Sequence, residues 1–319
     1  MNTTSADAQT FQYFRIGNAQ DVATKEKAGY ALMGGGDDLD EAFKWLCAKG
    51  GGGDFLVLRA RGDDDYNAYI DGLCKTNSVA TLIIPSREAA GDPRVAEIIR
   101  QAEVLFVAGG DQARYINWWM GTPVQDAMKT HIAAGKPIGG TSAGLAVMGQ
   151  YTYSAQGDAP DDDDLKSSLA LANPYMPRVT VRRDFLNIDL LRNTLTDTHF
   201  AERDRMGRSL VFLARIMKDG WSPAPREIAV DGKSAVLVER NGKARVIGAG
   251  KGAYFLSVAG GPEVCRENTP LTFRRIRVRH APAGAEFHLR QWKGRGTSEY
   301  ELSVVTGKIE STQRRESIY

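Results

Sequence analysis

Residues 136–148 read KPIGGTSAGLAVM. A short apolar run leads into Gly140-Thr141-Ser142-Ala143-Gly144, a G-x-S-x-G pattern, and small residues suited to a helix follow it. A serine in this pattern occupies a sharp turn between a strand and a helix. The flanking glycines are needed because larger side chains would collide with those two elements. The pattern therefore predicts a nucleophile elbow, with Ser142 at the end of a strand in an α/β sheet.

The sequence on both sides repeats the order strand, loop, helix from about residue 28 to residue 250. The strand candidates have almost no polar alternation, which is typical of parallel strands covered by helices on both faces. They are residues 29–33, 55–59, 79–85, 104–108 and 136–139, and the helix candidates are residues 39–48, 66–73, 95–102, 115–120, 124–134 and 209–217. We predict an α/β fold with a mostly parallel sheet and helices on both faces.

The C-terminal part has a different sequence pattern: after about residue 226 apolar and polar residues alternate. This pattern predicts antiparallel strands. The strand candidates there are residues 235–239, 244–247, 253–258, 271–278, 286–289 and 300–305. We expect two domains, an α/β peptidase domain at residues 1–250 and a β-rich C-terminal domain at residues 251–319. Four arginines, Arg274, Arg275, Arg277 and Arg279, form a basic strand face that could bind an anionic partner.

Composition excludes several classes of protein. The chain has 319 residues, of which 42% are apolar and 25% charged, with a formal net charge of +2. These are ordinary values for a globular protein, and the charge gives no general attraction for nucleic acid or for a membrane surface. No stretch approaches the roughly 18 apolar residues that a membrane span requires. We expect a cytoplasmic protein that binds neither nucleic acid nor membrane, with export as the alternative if a signal peptide has been removed.

The three cysteines, Cys47, Cys74 and Cys265, are odd in number and lie far apart in the sequence, with no C-x-x-C pattern and no neighbouring histidine pair. This spacing argues against a disulfide framework and against a zinc site. We therefore expect a reducing compartment, no metal and no organic cofactor, with Cys47 and Cys74 as packing residues.

A serine nucleophile needs a base, and His199 is the best of four candidates. It lies beside Asp197 at the apparent end of a strand and shortly before a predicted helix. Strand ends of this kind line the crevice where parallel α/β folds bind ligands. His131 falls in a predicted surface helix, whereas His280 and His288 fall in the C-terminal strands. The alternative for His199 is a structural or capping role.

The stretch VAGGDQAR at residues 107–114 is a second turn from strand to helix. The backbone N–H groups of Gly110 and Ala143 could stabilise an oxyanion, and the Gln112 side chain could hydrogen-bond to substrate. A plain β-turn remains the alternative for this stretch.

Three stretches together resemble the cyanophycinase and peptidase E family of serine peptidases. They are GGDQARY (109–115), GGTSAGLAVMG (139–149) and DTHFAERDRMGRSL (197–210), and the GGG stretches at residues 34–43 and 51–60 resemble the cyanophycinase branch. The resemblance covers roughly residues 28–250. It implies a flavodoxin-like or amidotransferase-like sheet, because the fold of this family is related to that of class I glutamine amidotransferases.

The resemblance also implies a reaction. Ser142 would attack an amide carbonyl and His199 would take its proton, while Gln112, Asp197, Arg203 and Arg208 would line or support the substrate pocket. Cyanophycinases cleave a polymer in which arginine is joined to the side-chain carboxyl of aspartate, and peptidase E cleaves after an N-terminal aspartate. The expected partner is therefore an aspartyl peptide or a cyanophycin-like polymer. The oligomeric state is left open, with a homodimer as a candidate.

One departure from the family concerns the acid that orients the histidine. The family resemblance implies a D-E-x-T-A stretch after the histidine, and this chain has Asp231-Gly232-Lys233-Ser234-Ala235 there, with glycine at the position of the glutamate. We predict Asp231 as the replacement, with Asp158 and the acids at residues 161–164 as alternatives. If no acid replaces it, the chain would be a catalytically weakened peptide-binding protein.

Three further readings carry less support. Gly34-Gly35-Gly36 would suit a nucleotide, but Leu39 occupies the third glycine position of that motif. A glutaminase needs a cysteine in place of Ser142. The acidic run at residues 161–164 lacks the alternation of a calcium loop and is predicted to be solvated.

Overall fold

The computed structural model describes residues 10–158 and 164–319. The strands are β1 (Gln12–Gly17), β2 (Gly29–Met33), β3 (Asp54–Arg59), β4 (Ser78–Ile83), β5 (Val104–Val107), β6 (Ile138–Thr141), β7 (Tyr151–Tyr153), β8 (Val181–Arg183), β9 (Thr194–Asp197), β10 (Arg226–Val230), β11 (Ser234–Glu239), β12 (Lys243–Gly248), β13 (Ala253–Val258), β14 (Val264–Arg266), β15 (Thr269–Ala281), β16 (Glu286–His288), β17 (Lys293–Arg295), β18 (Ser298–Val305) and β19 (Lys308–Ser311). The helices are α1 (Asp40–Lys49), α2 (Asp65–Leu73), α3 (Arg87–Gly91), α4 (Pro93–Gln101), α5 (Gln112–Trp119), α6 (Pro123–Ala133), α7 (Ala143–Ala146), α8 (Ser167–Ala172) and α9 (Met206–Lys218), and short 3-10 helices occupy Asp189–Leu191 and Arg314–Glu316.

The predicted parallel sheet forms the centre of a larger sheet, which we call sheet A. Its strands run in the order β1-β4-β3-β5-β6-β2-β11-β12-β16-β17. The five strands from β4 to β2 are parallel, and the strands on either side of them are antiparallel. The parallel strands β4 and β5 are buried along their whole length, as expected for strands without polar alternation.

Helices cover both faces of sheet A, as predicted. Alternate residues of β3 point to opposite sides: Phe55 and Val57 pack with α1 and α2, whereas Leu56 and Leu58 pack with α3 to α6. The predicted α/β fold is therefore confirmed, and the carboxyl ends of β2, β5 and β6 lie side by side at one edge.

A second sheet, sheet B, runs in the order β19-β18-β15-β13-β10-β9-β7-β8. Helices α8 and α9 pack against it. Strands β7, β9 and β10 are parallel to one another, and the strands from β13 onward are antiparallel, as the alternation predicts. The strands after residue 250 extend both sheets, because β16 and β17 join sheet A while the others join sheet B. The boundary at residue 250 stays a prediction.

The cysteines correct one expectation. Cys47 of α1 and Cys74, directly after α2, form a disulfide with their Cα atoms 6.2 Å apart. The prediction that Cys47 and Cys74 are unpaired packing residues was wrong, because a separation of 27 residues in sequence does not keep two cysteines apart when their helices lie on the same face of a sheet. Cys265 is free and buried.

Two other surface expectations can be compared with the structure. His131 lies in α6 as predicted, but the side chain faces inward and is buried rather than exposed. On β15, the arginines of the basic strand face are largely neutralised, because Arg274 pairs with Glu263 while Arg277 and Arg279 share Glu299. No helix among the described residues has the length and apolar character to cross a bilayer.

Candidate active site

Ser142 lies at the elbow that the glycine pattern predicts. Strand β6 ends one residue before it, helix α7 begins one residue after it, and its backbone has φ 50° and ψ −120°. This is strained backbone for a residue with a side chain. A Cβ at Gly140 would lie 2.6 Å from the carbonyl carbon of Gly144, and a Cβ at Gly144 would lie 2.0 Å from the carbonyl oxygen of Val107. Both glycines are therefore required by close approach of the backbone.

His199 reaches the serine from sheet B. It follows β9 by two residues, also has a positive φ of 45°, and its N–H donates to the carbonyl oxygen of Gly34 over 2.8 Å. The Nε2 atom lies 2.9 Å from Oγ of Ser142. The GGG stretch therefore packs beside the histidine. This contact explains why glycines occur at positions 34 and 35, so a nucleotide-binding role is not needed to explain them.

The acid beside His199 is Glu202, which the sequence analysis did not identify. Its Oε1 accepts a hydrogen bond from Nδ1 of His199. Asp231, the predicted acid, binds elsewhere: its Oδ1 accepts from the backbone N–H groups of Ala201 and Glu202 over 2.8 and 2.9 Å. The hydrogen bond to His199 that was expected of Asp231 is thus made by Glu202. Asp231 instead holds the turn that carries Glu202. The spacing of three residues within DTHFAERD was the available signal.

The other acids proposed as alternatives also have partners away from the histidine. Asp158 accepts from Tyr153 and pairs with Arg178 over 2.6 Å. Asp164 pairs with Arg205 and Arg208. Residues 161–163 lie outside the described residues.

The charge state of His199 suits a base. Burial lowers the pKa of His199 below its usual value, and the neighbouring positive charges of Arg203 and Arg205 act in the same direction. The hydrogen bond and negative charge of Glu202 oppose this and raise the pKa. The imidazole is therefore neutral near neutral pH, with Nδ1 donating to Glu202 and Nε2 free to accept the serine proton.

A cavity of about 600 Å³ opens beside Ser142. It is lined by Gly110, Gln112, Ala143 and Arg203, four of the predicted site residues. Gly110 has a φ of +144°, and a Cβ at the preceding glycine would stand only 3.5 Å from Cβ of Ser142, so this turn lies directly against the serine. The structure thus brings the predicted oxyanion donors and the predicted glutamine to one place.

Asp197 and Arg208 correct the prediction of substrate contacts. They are 2% and 1% exposed, do not line the cavity, and form a buried ion pair in which Arg208 donates to both carboxylate oxygens over 2.9 and 2.5 Å. Asp197 also accepts from the N–H of Thr198. The pair therefore supports the turn before His199 from below rather than binding substrate.

One group of acids outside the cavity could be considered for a metal. Carboxylate oxygens of Asp21, Asp54 and Glu103 lie within 4.8 Å of one another. Arg15 already pairs with Asp54, and Lys136 pairs with Glu103. These cations balance the two buried acids, so the cluster carries no argument for a metal.

Comparison with known proteins points to one family. The sequence model of peptidase family S51 matches residues 63–176, a stretch that contains Gln112 and Ser142 and ends before His199. A cyanophycinase from Trichormus variabilis is 28% identical over 218 residues, which are 67% of this chain and 66% of that protein. The chain is similar to peptidase family S51 over residues 63–176. This confirms the predicted resemblance to that family.

A second curated protein and one solved structure are also similar to this chain. A cyanophycinase from Geminocystis herdmanii is 25% identical over 170 residues, 53% of this chain and 55% of that protein. The matched region thus spans 66% and 55% of the length of these two curated relatives, which is less than two thirds of each. A crystal structure of a peptidase from an acI-B1 Actinobacterium has a TM-score of 0.49 and 17% identity, covering 70% of this chain and 89% of that one.

Proposed function

We propose that the protein is a serine peptidase that hydrolyses aspartyl amide bonds, above all the bond between the aspartate side-chain carboxyl and arginine that cyanophycin contains. The observation that carries the proposal is the 2.9 Å hydrogen bond between Oγ of Ser142 and Nε2 of His199 at a strained elbow. Such a pair is the arrangement that turns a weakly nucleophilic hydroxyl into an attacking group.

The proposed reaction has two steps. Oγ of Ser142 attacks the carbonyl carbon while Nε2 of His199 takes its proton, and the same proton then passes to the departing amine, leaving an acyl-enzyme. Water attacks the ester with His199 again as base, which releases the acid and restores the serine. The N–H groups of Gly110 and Ala143 are the proposed donors to the oxyanion formed in each step.

The charges of the cavity support a substrate that carries a carboxylate. Asp111, Asp158 and Asp164 line it together with several arginines. Asp158 and Asp164 already have arginine partners, whereas Arg61 makes no ion pair with a described carboxylate and lies over the Trp118 ring. Arg203 is half exposed, and Glu202 at 3.9 Å is its one ion-pair partner among the described residues. Arg61 and Arg203 are thus available for a substrate carboxylate, which a planar guanidinium binds in two places.

The test measures release of free amino groups from the β-aspartyl-arginine polymer and from matched α-aspartyl and β-aspartyl dipeptides. Turnover of the polymer by the wild type, lost in Ser142→Ala, supports the proposal. Turnover of α-aspartyl dipeptides alone would assign the peptidase E activity instead. Binding of the polymer without turnover of any substrate would identify a peptide-binding protein and overturn the proposal.

The disulfide bears on where this activity takes place. Disulfides persist in oxidising compartments and are rare in reducing ones. The Cys47–Cys74 pair therefore favours export over the cytoplasm. Alkylation of the thiols in intact cells before lysis tests this: protection of both cysteines supports export, and full labelling of both contradicts it.

A further inference from the structure

The carboxylate of Glu202 lies where a side chain at position 232 would otherwise lie. A Cβ at Gly232 would stand 2.1 Å from Oε2 and 2.5 Å from Cδ of Glu202. Real Cβ atoms do not approach other atoms so closely. The space between the turn after β10 and the ring of His199 is thus filled by Glu202, and it can be filled in this way only because residue 232 has no side chain.

The backbone at Gly232 does not itself demand glycine. Its φ lies outside the left-handed region, so an alanine could adopt the same backbone conformation. The three atoms nearest to the added methyl all belong to the end of the Glu202 side chain, which is 40% exposed and can rotate away into solvent. A methyl group at this position would therefore displace the carboxylate and leave the fold intact.

The backbone of Glu202 is fixed independently of its side chain. Oδ1 of Asp231 accepts from the N–H groups of residues 201 and 202, and Oδ2 accepts from the N–H of Lys251 over 3.1 Å. Since Asp231 precedes Gly232, one short connection holds the turn that carries Glu202 and also leaves room for its carboxylate. The two residues that follow β10 thus act on opposite ends of the same glutamate.

We propose that Glu202 is the positioning residue that orients the His199 ring toward Ser142, and that the missing side chain at Gly232 is what allows it to do so. This inference rests on the proposed serine peptidase function. An acid bound to Nδ1 holds the imidazole in the tautomer whose Nε2 can accept a proton from serine, and loss of such an acid costs on the order of 10⁴-fold in kcat in a well-studied serine protease. The same role is assigned here to Glu202.

The experiment is a double-mutant cycle on the full chain with Glu202→Ala, Gly232→Ala and the combined variant. We expect kcat to fall by about 10³-fold or more in Glu202→Ala, and by at least about tenfold in Gly232→Ala, with KM changed little. In the combined variant Gly232→Ala should cause no additional loss, because the group that it displaces has already been removed. Gly72→Ala is the matched control, since a Cβ there meets nothing within 4 Å.

A second readout does not depend on turnover. NMR titration of the His199 ring reports its pKa, to which Arg203 and Arg205 contribute from one side and Glu202 from the other. Glu202 raises this pKa, so both single variants should lower it, whereas Gly72→Ala should leave it unchanged. A lowered pKa in both variants supports the inference.

Three results would overturn the inference while leaving the peptidase function standing. They are an unchanged kcat in either single variant, losses that add in the combined variant, and an unchanged His199 pKa. If the wild type has no turnover on any substrate, the proposed function fails instead, and the titration alone then decides whether Glu202 acts on His199.

Discussion

Gly35 packs directly against the imidazole of His199. A Cβ at Gly35 would stand 2.2 Å from Nε2, the atom that contacts the serine. The N–H of His199 donates to the carbonyl of the preceding glycine, and the N–H of Lys233 donates to the carbonyl of Gly35 itself. The loop after β2 is therefore joined by its backbone to the histidine and to the turn beside Glu202.

This contact predicts that Gly35→Ala is much more harmful than the same change one residue later. Both glycines have positive φ, +97° and +79°, so alanine strains the backbone by about 1 kcal/mol in each. Only a Cβ at Gly35 meets the histidine; a Cβ at Gly36 lies 3.4 Å from Lys233. We expect kcat to fall by about 100-fold or more in Gly35→Ala and by less than about threefold in Gly36→Ala. Equal losses in the two variants would contradict this.

The pH dependence of kcat/KM reports the charge of His199. The base must be neutral, so activity rises with pH through its pKa. Burial lowers that pKa from 6.5, and the acid limb of the wild-type profile should therefore lie below pH 6.5. The measurement is kcat/KM between pH 4 and 8 on one aspartyl substrate. An acid limb at or above pH 7 would disagree with the burial of the ring.

Substitutions of Arg203 and Arg208 are predicted to affect different properties, namely substrate binding for Arg203 and stability for Arg208. Arg203→Ala removes a half-exposed cation of the cavity and should raise KM for acidic substrates about tenfold without changing stability. Arg208→Ala leaves Asp197 in a buried site with Arg205, 3.6 Å away, as its one remaining ion-pair partner among the described residues, and should cost about 3 kcal/mol or more of unfolding free energy. Kinetics and urea unfolding of both variants separate the two roles. A destabilised Arg203→Ala would argue for a structural part.

Glu227 makes the stability of the fold sensitive to pH. It is fully buried in β10, Oε1 accepts from Ser209 over 2.6 Å, and Oε2 has no partner among the described residues. Burial, followed by the charge of Asp197, raises the pKa of Glu227 well above its usual value. A carboxyl whose folded pKa is raised contributes stability below its unfolded pKa, and that contribution is lost as pH rises toward the folded pKa.

In the Glu227→Gln variant the side chain cannot ionise, so the variant should not lose stability in this way as pH rises. We expect the variant to match the wild type near pH 4.5 and to become more stable than the wild type as pH rises, by up to about 1.4 kcal/mol for each pH unit. Urea unfolding of both proteins at pH 4.5, 6 and 8 makes the comparison. Parallel stability curves would mean that Glu227 ionises in the folded protein without cost.

Reduction of the Cys47–Cys74 disulfide should lower stability without lowering activity. The bond closes a loop of 27 residues, for which chain entropy predicts about 3.5 kcal/mol. Neither cysteine lines the cavity at Ser142. Unfolding with and without dithiothreitol, for the wild type and for Cys47→Ser, measures the effect, and Cys265→Ser serves as the control. If dithiothreitol destabilises Cys47→Ser as much as the wild type, the effect has another source.

The elbow could be predicted because its glycines and serine lie within five consecutive residues. The pattern around Ser142 indicates a tight turn from strand to helix, and the apolar runs beside it indicate parallel strands. The acid could not be predicted in the same way. Whether a carboxylate reaches His199 depends on the positive φ of that histidine and on how closely the turn at Gly232 approaches, and both are set by packing between the sheets.

The C-terminal strands show the same limit. Alternation of apolar and polar residues identifies them as strands, but it does not say which sheet each one joins. Residues 286–288 pair with β12 in sheet A, whereas β18 pairs with β15 in sheet B. Likewise, the disulfide depends on α1 and α2 lying on one face of sheet A. Contacts between residues far apart in the sequence decide which sheet each strand joins and whether the disulfide forms. The local periodicity of apolar residues does not reveal these contacts.

Ser142 and His199 are carried by different sheets. Ser142 begins the connection from β6 in sheet A to β7 in sheet B, and Asp231 and Gly232 lie on the connection from β10 in sheet B back to β11 in sheet A. Neither hydrogen-bonded ladder by itself holds the nucleophile and the base in register. Their 2.9 Å separation depends on how the two sheets pack against each other, so a substitution that repacks the side chains between the sheets would separate Ser142 from His199 without touching either residue.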